Sequence, residues 1–346
     1  MTASTMLHSA RAAVSKWRYM HRLYGGMRRA NRAWSPDTDM AATPFPRAIQ
    51  LQTLNACQAA CVMCPWPRFK DEFPRGRMDD DLFDRITDEI AARDGVEAFI
   101  PMLQNEPLLD KRLFDRIARF KAGTQGRVAV ELVTNGAFLT DETIARIRDV
   151  RLDVLDISLD ALHRETYQRI RKGLDYDQVM AGVERVLAAD LPHTRVFVRL
   201  IRLEQNAREV SEFVRAWQAR GVSVFVYTAN NRTGDVADWE QTARLREEAL
   251  ARPVQLARAV GRRAMREYFG HCPVPFATAN ILHDGTMLMC VHDWGRKVTI
   301  GNVRDASIAE LWNGPRMREI RSLVAERRYT EIPACRDCTL WRDGWV

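Results

Sequence analysis

From residue 47 onward, short hydrophobic runs rich in β-branched residues alternate with longer stretches in which apolar residues recur every three or four positions. The short runs predict strands, and the longer stretches predict amphipathic helices. Strands that alternate with helices form a parallel sheet, and six such units over about 190 residues predict an α/β fold with a partial (β/α)6 barrel. The predicted strands are residues 48–53, 98–103, 128–134, 154–159, 196–200 and 222–227, and the predicted helices are 80–93, 111–121, 141–150, 176–189 and 207–220.

The same pattern divides the chain into four parts. Residues 1–45 form a basic arm with the periodicity of an amphipathic helix, 46–235 the barrel, 236–270 a polar linker or helix, and 271–346 a small C-terminal α+β domain. We expect the apolar face of the N-terminal helix to dock against the barrel. An anionic membrane surface, a partner helix and an organellar transit peptide are the alternatives.

Two local motifs organise the C-terminal part. The dipeptide Asp284-Gly285 separates two strand-like runs, and it predicts a hairpin because it supplies the positive φ angles of a tight turn. Ser307 and Glu310 have the spacing of a capping box at the start of a helix.

Composition and charge narrow the class of protein. Hydrophobic residues make up 46% and charged residues 28%, which is typical of a globular chain and excludes intrinsic disorder. No apolar run is long enough to cross a membrane. The net charge of +7 comes from the first 36 residues, which carry seven Lys or Arg and no acidic residue, so the remainder has 45 basic and 45 acidic residues. We therefore expect no nucleic-acid partner.

The chain has seven cysteines in two groups, three before residue 65 and four after residue 271. An odd number without a signal peptide argues against a disulfide framework and for a cytoplasmic protein that uses reduced thiols as metal ligands. Buried free thiols are the alternative, but they do not account for a C-x3-C-x2-C run with a distant C-x2-C. The predicted metal ligands are Cys57, Cys61, Cys64, Cys272, Cys290, Cys335 and Cys338.

The first three cysteines directly follow the first predicted strand, at the end of a barrel where catalytic loops lie. Three thiolates at this spacing can hold a cubane 4Fe–4S cluster and leave one iron open. Here the sequence resembles the radical SAM superfamily. The resemblance implies that S-adenosylmethionine (SAM) binds the open iron, and that an external one-electron reductant such as flavodoxin or ferredoxin starts its cleavage to a 5′-deoxyadenosyl radical. The protein then positions these cofactors and excludes water.

Further matches to that family follow the later strands: Gln104-Asn-Glu-Pro107, where the family usually has Gly-Gly-Glu-Pro, then Thr134-Asn-Gly136 and Ser158-Leu-Asp160. The resemblance implies that Glu106 accepts a hydrogen bond from the SAM ammonium, and that Ser158 and Arg199 bind the SAM carboxylate. Met63 stands where many members have an aromatic residue. The SAM-binding residues implied in this way are Met63, Glu106, Asn135, Ser158 and Arg199.

The C-terminal segment resembles the SPASM/twitch extension of radical SAM enzymes, which carries auxiliary iron–sulfur clusters. Four cysteines fill one cluster, so the resemblance implies the smaller, twitch-like version. A cluster with four thiolate ligands has no open iron and is expected to carry electrons. A structural zinc ion held by the same four thiolates is the alternative.

The reaction is predicted mainly from this resemblance. With all seven cysteines assigned, no thiol remains to return a hydrogen atom, which weakens an epimerase. The 45 residues before the barrel are too few for a corrin-binding domain and, less decisively, for a peptide-leader-binding domain. We therefore expect oxidation of a secondary alcohol in a sugar- or aminocyclitol-like small molecule from natural-product (antibiotic) biosynthesis, with the auxiliary cluster as electron acceptor. Redox-neutral dehydration, decarboxylation or epimerisation of a sugar or nucleoside, and peptide modification, are the alternatives.

Candidate substrate contacts follow the sixth strand. Tyr227, Asn230 and Arg232 lie at the expected open end of the barrel, facing the C-terminal segment. Arg232 can bind a substrate oxygen and help to remove a proton; a solvent-facing loop is the alternative. His292 and Asp293 follow Cys290 and are expected to hydrogen-bond around the auxiliary site. A nucleic-acid-binding protein with structural zinc sites is the non-enzyme alternative; it leaves Glu106 and the other strand-end residues without a role.

Overall fold

The computed structural model describes residues 45–237, 239 and 271–340. Within these residues, nine strands form one continuous sheet, and all six strands predicted for the barrel are confirmed. The strands are β1 Ala48–Leu51, β2 Ala98–Ile100, β3 Ala129–Thr134, β4 Val154–Ser158, β5 Arg195–Arg202, β6 Ser223–Thr228, β7 Thr278–Ile281, β8 Thr286–Leu288 and β9 Thr299–Asn302.

The first six strands pair in parallel in their sequence order, so the predicted partial barrel is confirmed. The C-terminal strands belong to the same sheet. β7 pairs in parallel with β1, in the register Ala48 opposite Thr278, and β8 and β9 follow in antiparallel order. The segment that holds the last four cysteines is therefore joined by backbone hydrogen bonds to the strand that leads into the first three.

In the described part of the chain, the helices are α1 Trp66–Phe69, α2 Asp80–Ala91, α3 Leu113–Gly123, α4 Asp141–Asp149, α5 Arg164–Ile170, α6 Tyr176–Ala188, α7 Val210–Ala219, α8 Val274–Ala277, α9 Ile308–Asn313 and α10 Pro315–Ala325. The five predicted helices are α2, α3, α4, α6 and α7. The starts of α2 and α6 follow from capping, since Asp79 and Asp175 each accept a hydrogen bond from a first-turn N–H. The sequence pattern missed α5, because seven residues with three buried side chains are too short to show a 3.6-residue period.

Inward-facing side chains fill the barrel in layers. Val154, Phe197 and Phe225 are buried and pack together from β4, β5 and β6. Two residues further along β4 and β5, Asp156 and Arg199 form an ion pair in the interior. Side chains on a strand alternate between faces, so these positions share the inner face. The layer of Val154, Phe197 and Phe225 is apolar, and the layer of Asp156 and Arg199 is charged. The polar part of the barrel interior therefore lies toward the carboxyl ends of the strands.

The two C-terminal motifs are present, with one correction. β7 and β8 form the predicted hairpin, and Ser307 and Glu310 make the capping box at α9. Only Gly285 has positive φ, at +91°, whereas both Asp284 and Gly285 were expected to adopt it. The difference arises because the turn spans four residues, with the Gly285 N–H donating to the Leu282 carbonyl at 2.9 Å. Asp284 instead accepts a hydrogen bond from the Thr286 N–H.

Barrel helix α2 also contacts the C-terminal region directly. The two carboxylate oxygens of Glu89 accept hydrogen bonds from the N–H groups of Ile308 and Ala309, each at 2.8 Å, at the start of α9. The predicted N-terminal helix of residues 1–45 and most of the linker 236–270 lie outside the described residues, and their predictions stand as made. Among the described helices, none has the length and apolarity needed to cross a membrane.

Candidate active site between two groups of cysteines

The first three cysteines lie in the loop that leaves β1, as the sequence predicted. The Ala59 N–H donates to Cys57 Sγ at 3.4 Å, and the Trp66 N–H donates to Cys64 Sγ at 3.5 Å. The Trp66 indole donates to the Cys57 carbonyl at 2.9 Å and so fixes the loop from outside. N–H groups directed at sulfur are the contacts that stabilise thiolates bound to an iron–sulfur cluster. The donor set and its backbone hydrogen bonds therefore fit a cubane cluster with one open iron.

These thiols need a metal to ionise. Burial raises the pKa of Cys57 to about 12 and the pKa of Cys64 to about 11, and it also raises the pKa of Cys61. Iron supplies the positive charge that keeps such buried sulfurs deprotonated, so cluster binding releases protons at neutral pH.

A cavity of about 410 Å³ extends from the three thiols into the barrel and to the lip facing the C-terminal region. It brings together residues that lie far apart in the sequence and follow different strands, as expected at the carboxyl ends of a parallel sheet. All eight predicted cofactor- and substrate-contact residues line it: Met63, Glu106, Asn135, Ser158, Arg199, Tyr227, Asn230 and Arg232. Their individual roles stay predictions.

Glu106 is buried and held in a fixed orientation. One carboxylate oxygen accepts from the Thr134 hydroxyl at 2.7 Å and the Leu108 N–H at 3.1 Å, and the other accepts from the Asn135 N–H at 2.8 Å. Burial raises the pKa of Glu106, and the Asn135 and Thr134 donors oppose that rise. The carboxylate retains acceptor capacity on the oxygen bonded only to Asn135, which suits a contact with an ammonium group. Thr134-Asn135 thus orients the acidic residue that follows β2.

Arg199 is already engaged inside the barrel. Its Nε donates to Asp156 Oδ2 at 3.0 Å, Nη2 pairs with the same oxygen, and the guanidinium lies 4.8 Å from the centre of the Tyr227 ring. Glu131 lies 3.8 Å from Nη2. The predicted bidentate contact with the SAM carboxylate therefore has two options. Either Arg199 uses Nη1, or it first releases Asp156. Tyr227 contacts Arg199 in this structure, which gives it a role beside the predicted substrate contact.

The loop after β6 is strained. Arg232, Thr233 and Gly234 have φ angles of +47°, +61° and +86° in succession. A β-branched residue with positive φ is unfavourable, and such backbone persists where surrounding contacts over-determine it. Those contacts come from the C-terminal region: the Asn231 amide donates to the Asp337 carbonyl at 2.5 Å, and Lys297 donates to the Thr233 carbonyl at 2.6 Å. The loop is thus fixed between the barrel and the last C-x2-C pair, and the alternative of a solvent-facing loop is wrong.

The last four cysteines surround a second cavity of about 160 Å³. The hairpin brings Cys290 to Cys272, and the chain end adds Cys335 and Cys338. Among the described residues, no three Cys, His, Asp or Glu side chains converge at the distances of a single metal ion, and the cavity has the volume of a multi-atom group. The His292 N–H donates to Cys290 Sγ at 3.4 Å, as at the first site. The site fits a second cubane cluster.

Arg232 and His292 line the larger cavity, and Thr233, the next residue of the loop, lines the smaller one. Val274 and Leu340 line both cavities. The Arg232 guanidinium is hydrogen-bonded to His292 Nδ1, and burial with the adjacent Arg232 holds the pKa of His292 well below its usual range, so the ring is neutral. Burial lowers the pKa of Arg232, while Cys64 and Cys290 oppose that shift. His292 was expected to face the auxiliary site, but its ring lines the larger cavity, and only its backbone reaches Cys290.

Gln104 has a role that the sequence did not reveal. Its φ is +61°, and its amide donates to the carbonyls of Val291 at 3.1 Å and Asp293 at 3.2 Å. The side chain thus connects the strand end that carries Glu106 to the turn that carries His292. The family pattern has glycine here, which the left-handed backbone explains, and the structure shows what the larger residue adds. Asp293 itself uses its carboxylate to cap the N–H groups of Lys297 and Val298.

We expect Gln104→Gly to lower the free energy of unfolding by about 1–3 kcal/mol, because two buried carbonyls lose their donor. Glycine tolerates the positive φ, so the backbone itself is not strained by the change. Gln125→Gly is the matched control, since Gln125 also has positive φ (+52°) but is exposed. Denaturant unfolding of both variants checks this prediction, and equal midpoints for the two variants contradict it.

Comparison with known proteins agrees with this geometry. Residues 51–217 match the radical SAM superfamily, and residues 272–339 match SPASM, an iron–sulfur cluster-binding domain. The chain therefore belongs to the radical SAM superfamily and carries a C-terminal SPASM domain. Its cofactors are SAM and two 4Fe–4S clusters, and the groups of three and four cysteines remain their predicted ligands.

Individual relatives differ in how much of the chain they match. A GTP 3′,8-cyclase of Limosilactobacillus fermentum is 28% identical over 195 residues, 56% of this chain and 57% of the relative. An S-adenosyl-L-methionine-dependent 2-deoxy-scyllo-inosamine dehydrogenase of Niallia circulans is 19% identical over 290 residues, 84% of this chain and 91% of the relative. The crystal structure of BtrN in complex with AdoMet and 2-DOIA aligns with a TM-score of 0.57 at 16% identity, covering 84% of this chain and 92% of BtrN. The chain thus spans little more than half of the cyclase but most of the dehydrogenase.

Proposed function

We propose that this radical SAM enzyme oxidises a secondary alcohol of a sugar- or aminocyclitol-like small molecule by two electrons, with the SPASM cluster as electron acceptor. The main support is that the strained loop after β6 lines both cavities: Arg232 lines the cavity of the first three cysteines, and Thr233 lines the cavity of the last four. A substrate bound at Arg232 is then within reach of both sites. A reaction that uses a radical and an electron acceptor on one carbon needs this arrangement.

The chain's own residues bind and orient the substrate. Arg232 and Asn230 present polar groups to the cavity, and Tyr227 adds an aromatic face next to them. The Arg232 guanidinium, supported by neutral His292, binds the substrate hydroxyl and stabilises the oxyanion that forms when its proton leaves. Trp66 and Trp294 line the outer part of the same cavity and exclude water from it.

The electrons and hydrogens balance as follows. When bound, the N-terminal cluster and SAM supply the 5′-deoxyadenosyl radical that takes a hydrogen atom from the carbinol carbon. The hydroxyl would lose its proton to solvent, and the C-terminal cluster, held by the four predicted cysteine ligands, would accept the remaining electron, so that a ketone would form. An external reductant, flavodoxin or ferredoxin, supplies the electron that starts each turnover.

The long match to a 2-deoxy-scyllo-inosamine dehydrogenase supports this choice of substrate class. The redox-neutral alternative has support of its own, because the GTP 3′,8-cyclase match has higher identity. That match covers only part of the cyclase, so it bears on the shared radical SAM barrel more than on the complete reaction.

Product analysis tests the proposal. The anaerobically reconstituted enzyme is incubated with SAM, dithionite and 2-deoxy-scyllo-inosamine deuterated at each carbinol carbon in turn, and the products are measured by mass spectrometry. We expect a ketone that lacks two hydrogens, one 5′-deoxyadenosine for each ketone, and deuterium transfer from one carbon only. A product at the oxidation level of its substrate overturns the dehydrogenase assignment and favours the redox-neutral alternative.

A further inference from the structure

The middle cysteine of the first group has a different environment from its neighbours. Cys57 and Cys64 accept hydrogen bonds from backbone N–H groups. Cys61 instead accepts a hydrogen bond from a charged side chain, with Arg171 Nη1 at 3.6 Å from its sulfur. Arg171 is buried, so this contact is shielded from solvent.

The backbone is arranged to bring these two residues together. The Ala60 N–H donates to the Lys172 carbonyl at 2.7 Å, and the Val62 N–H donates to the Ile170 carbonyl at 3.0 Å. The residues on both sides of Cys61 are thus bonded to the residues on both sides of Arg171. Gly173 completes the turn with φ of +84°, and a Cβ there would lie 3.1 Å from the Gln58 carbonyl oxygen. The close approach of the two loops therefore needs glycine at this position.

Arg171 is held in place by Asp160 of the Ser158-Leu-Asp160 motif. Asp160, the last residue of Ser158-Leu-Asp160, pairs with Arg171 Nη2 at 2.5 Å and has a positive φ of +62°. Its other carboxylate oxygen accepts from the Ile201 N–H at 2.6 Å, and the Asn206 amide donates to its backbone carbonyl at 2.6 Å. Asp160 is thus locked to β5 and directs the guanidinium toward Cys61. Ser158 lines the larger cavity, whereas Asp160 is buried and pairs with Arg171, so the two ends of the motif have different contacts.

We propose that Arg171 sets the reduction potential of the N-terminal 4Fe–4S cluster through its charged hydrogen bond to the Cys61 thiolate. Hydrogen bonds to sulfur ligands and nearby charge are the means by which proteins adjust iron–sulfur potentials. A reduced cluster carries one more negative charge, so an adjacent cation stabilises the reduced form and raises the potential. Asp160 offsets part of this effect, but it lies behind the guanidinium and not against the sulfur. The proposal concerns the superfamily's first step and holds whichever substrate is used.

The experiment is a potentiometric titration monitored by electron paramagnetic resonance, on the reconstituted full-length enzyme. The N-terminal signal is identified by its change on SAM addition, since SAM binds only the cluster with an open iron. We expect a more negative midpoint for Arg171→Gln and a smaller shift for Arg171→Lys, which keeps the charge but not the guanidinium geometry. Arg169→Gln is the matched control, because Arg169 is exposed and its described side-chain contact is with Thr166.

Arg171→Gln alone leaves the Asp160 carboxylate buried without its charged partner, which destabilises the fold. The double variant Asp160→Asn/Arg171→Gln removes both charges and avoids this penalty. Iron is measured for every variant, so that a shifted potential is distinguished from a lost cluster. A negative shift in the double variant with iron retained supports the proposal. A wild-type midpoint with iron retained overturns it, and so does loss of the N-terminal cluster from the double variant, since Arg171 would then act in cluster retention.

Discussion

Simultaneous replacement of Cys57, Cys61 and Cys64 by alanine is expected to lower the iron content from about eight to about four per chain and to abolish 5′-deoxyadenosine formation. The three thiols are the predicted cluster ligands at one end of the larger cavity, and Glu106, the predicted contact of the SAM ammonium, lines the same cavity. Without the cluster, SAM has no open iron to bind and no electron source. The variant is reconstituted anaerobically, and iron, acid-labile sulfide, zinc and 5′-deoxyadenosine are measured.

The experiment is specific for the first cluster, because the second group of cysteines is unchanged in the variant. Iron that stays near eight would mean that the three cysteines do not hold a cluster. About four irons and one zinc in the unmodified enzyme would instead assign zinc to the C-terminal site and favour a redox-neutral reaction. Zinc without iron in the unmodified enzyme contradicts the assignment of both sites.

The sequence was sufficient to predict the scaffold and the cofactors. Most residues of β1, β3 and β4 are buried, and these strands appear in the sequence as short, largely apolar runs, which are a strong local signal. Parallel strands place their carboxyl ends at one edge, so Glu106, Ser158 and Arg199 were expected together although they lie on three different units. The two clusters could be predicted for a different reason: the spacing between their cysteines is a property of the sequence alone.

Contacts between distant segments could not be predicted in this way. Arg171 ends a helix too short to show its period, and its partner Cys61 is 110 residues away along the chain. Gln104 departs from the family pattern, so the resemblance gave it no role. The pairing of β1 with β7 brings the turn that carries His292 within reach of its side chain. His292 follows a cysteine ligand by two residues, which suggested a position at the auxiliary site. The turn after β8 instead directs its ring to Arg232.

Replacement of Cys335 and Cys338 by alanine is expected to separate radical formation from substrate oxidation. The two residues line the smaller cavity at the chain end, and Asn231 joins their segment to the loop that carries Arg232. Loss of two of four thiolates removes the C-terminal cluster, while the N-terminal ligands stay in place. We expect about four irons per chain, retained 5′-deoxyadenosine formation and loss of ketone formation to background.

Two controls separate this result from a collapsed site. Thermal unfolding and SAM binding show whether the barrel is intact. Asn231→Asp, which weakens the same loop contact but keeps all four cysteines, is expected to retain about eight irons and some ketone formation. If the Cys335→Ala/Cys338→Ala variant forms 5′-deoxyadenosine and a product at the oxidation level of the substrate, the radical reaches the substrate but the electron has no acceptor. Full ketone formation with four irons would show that the second electron leaves by another route, and the proposed role of the SPASM cluster would then be wrong.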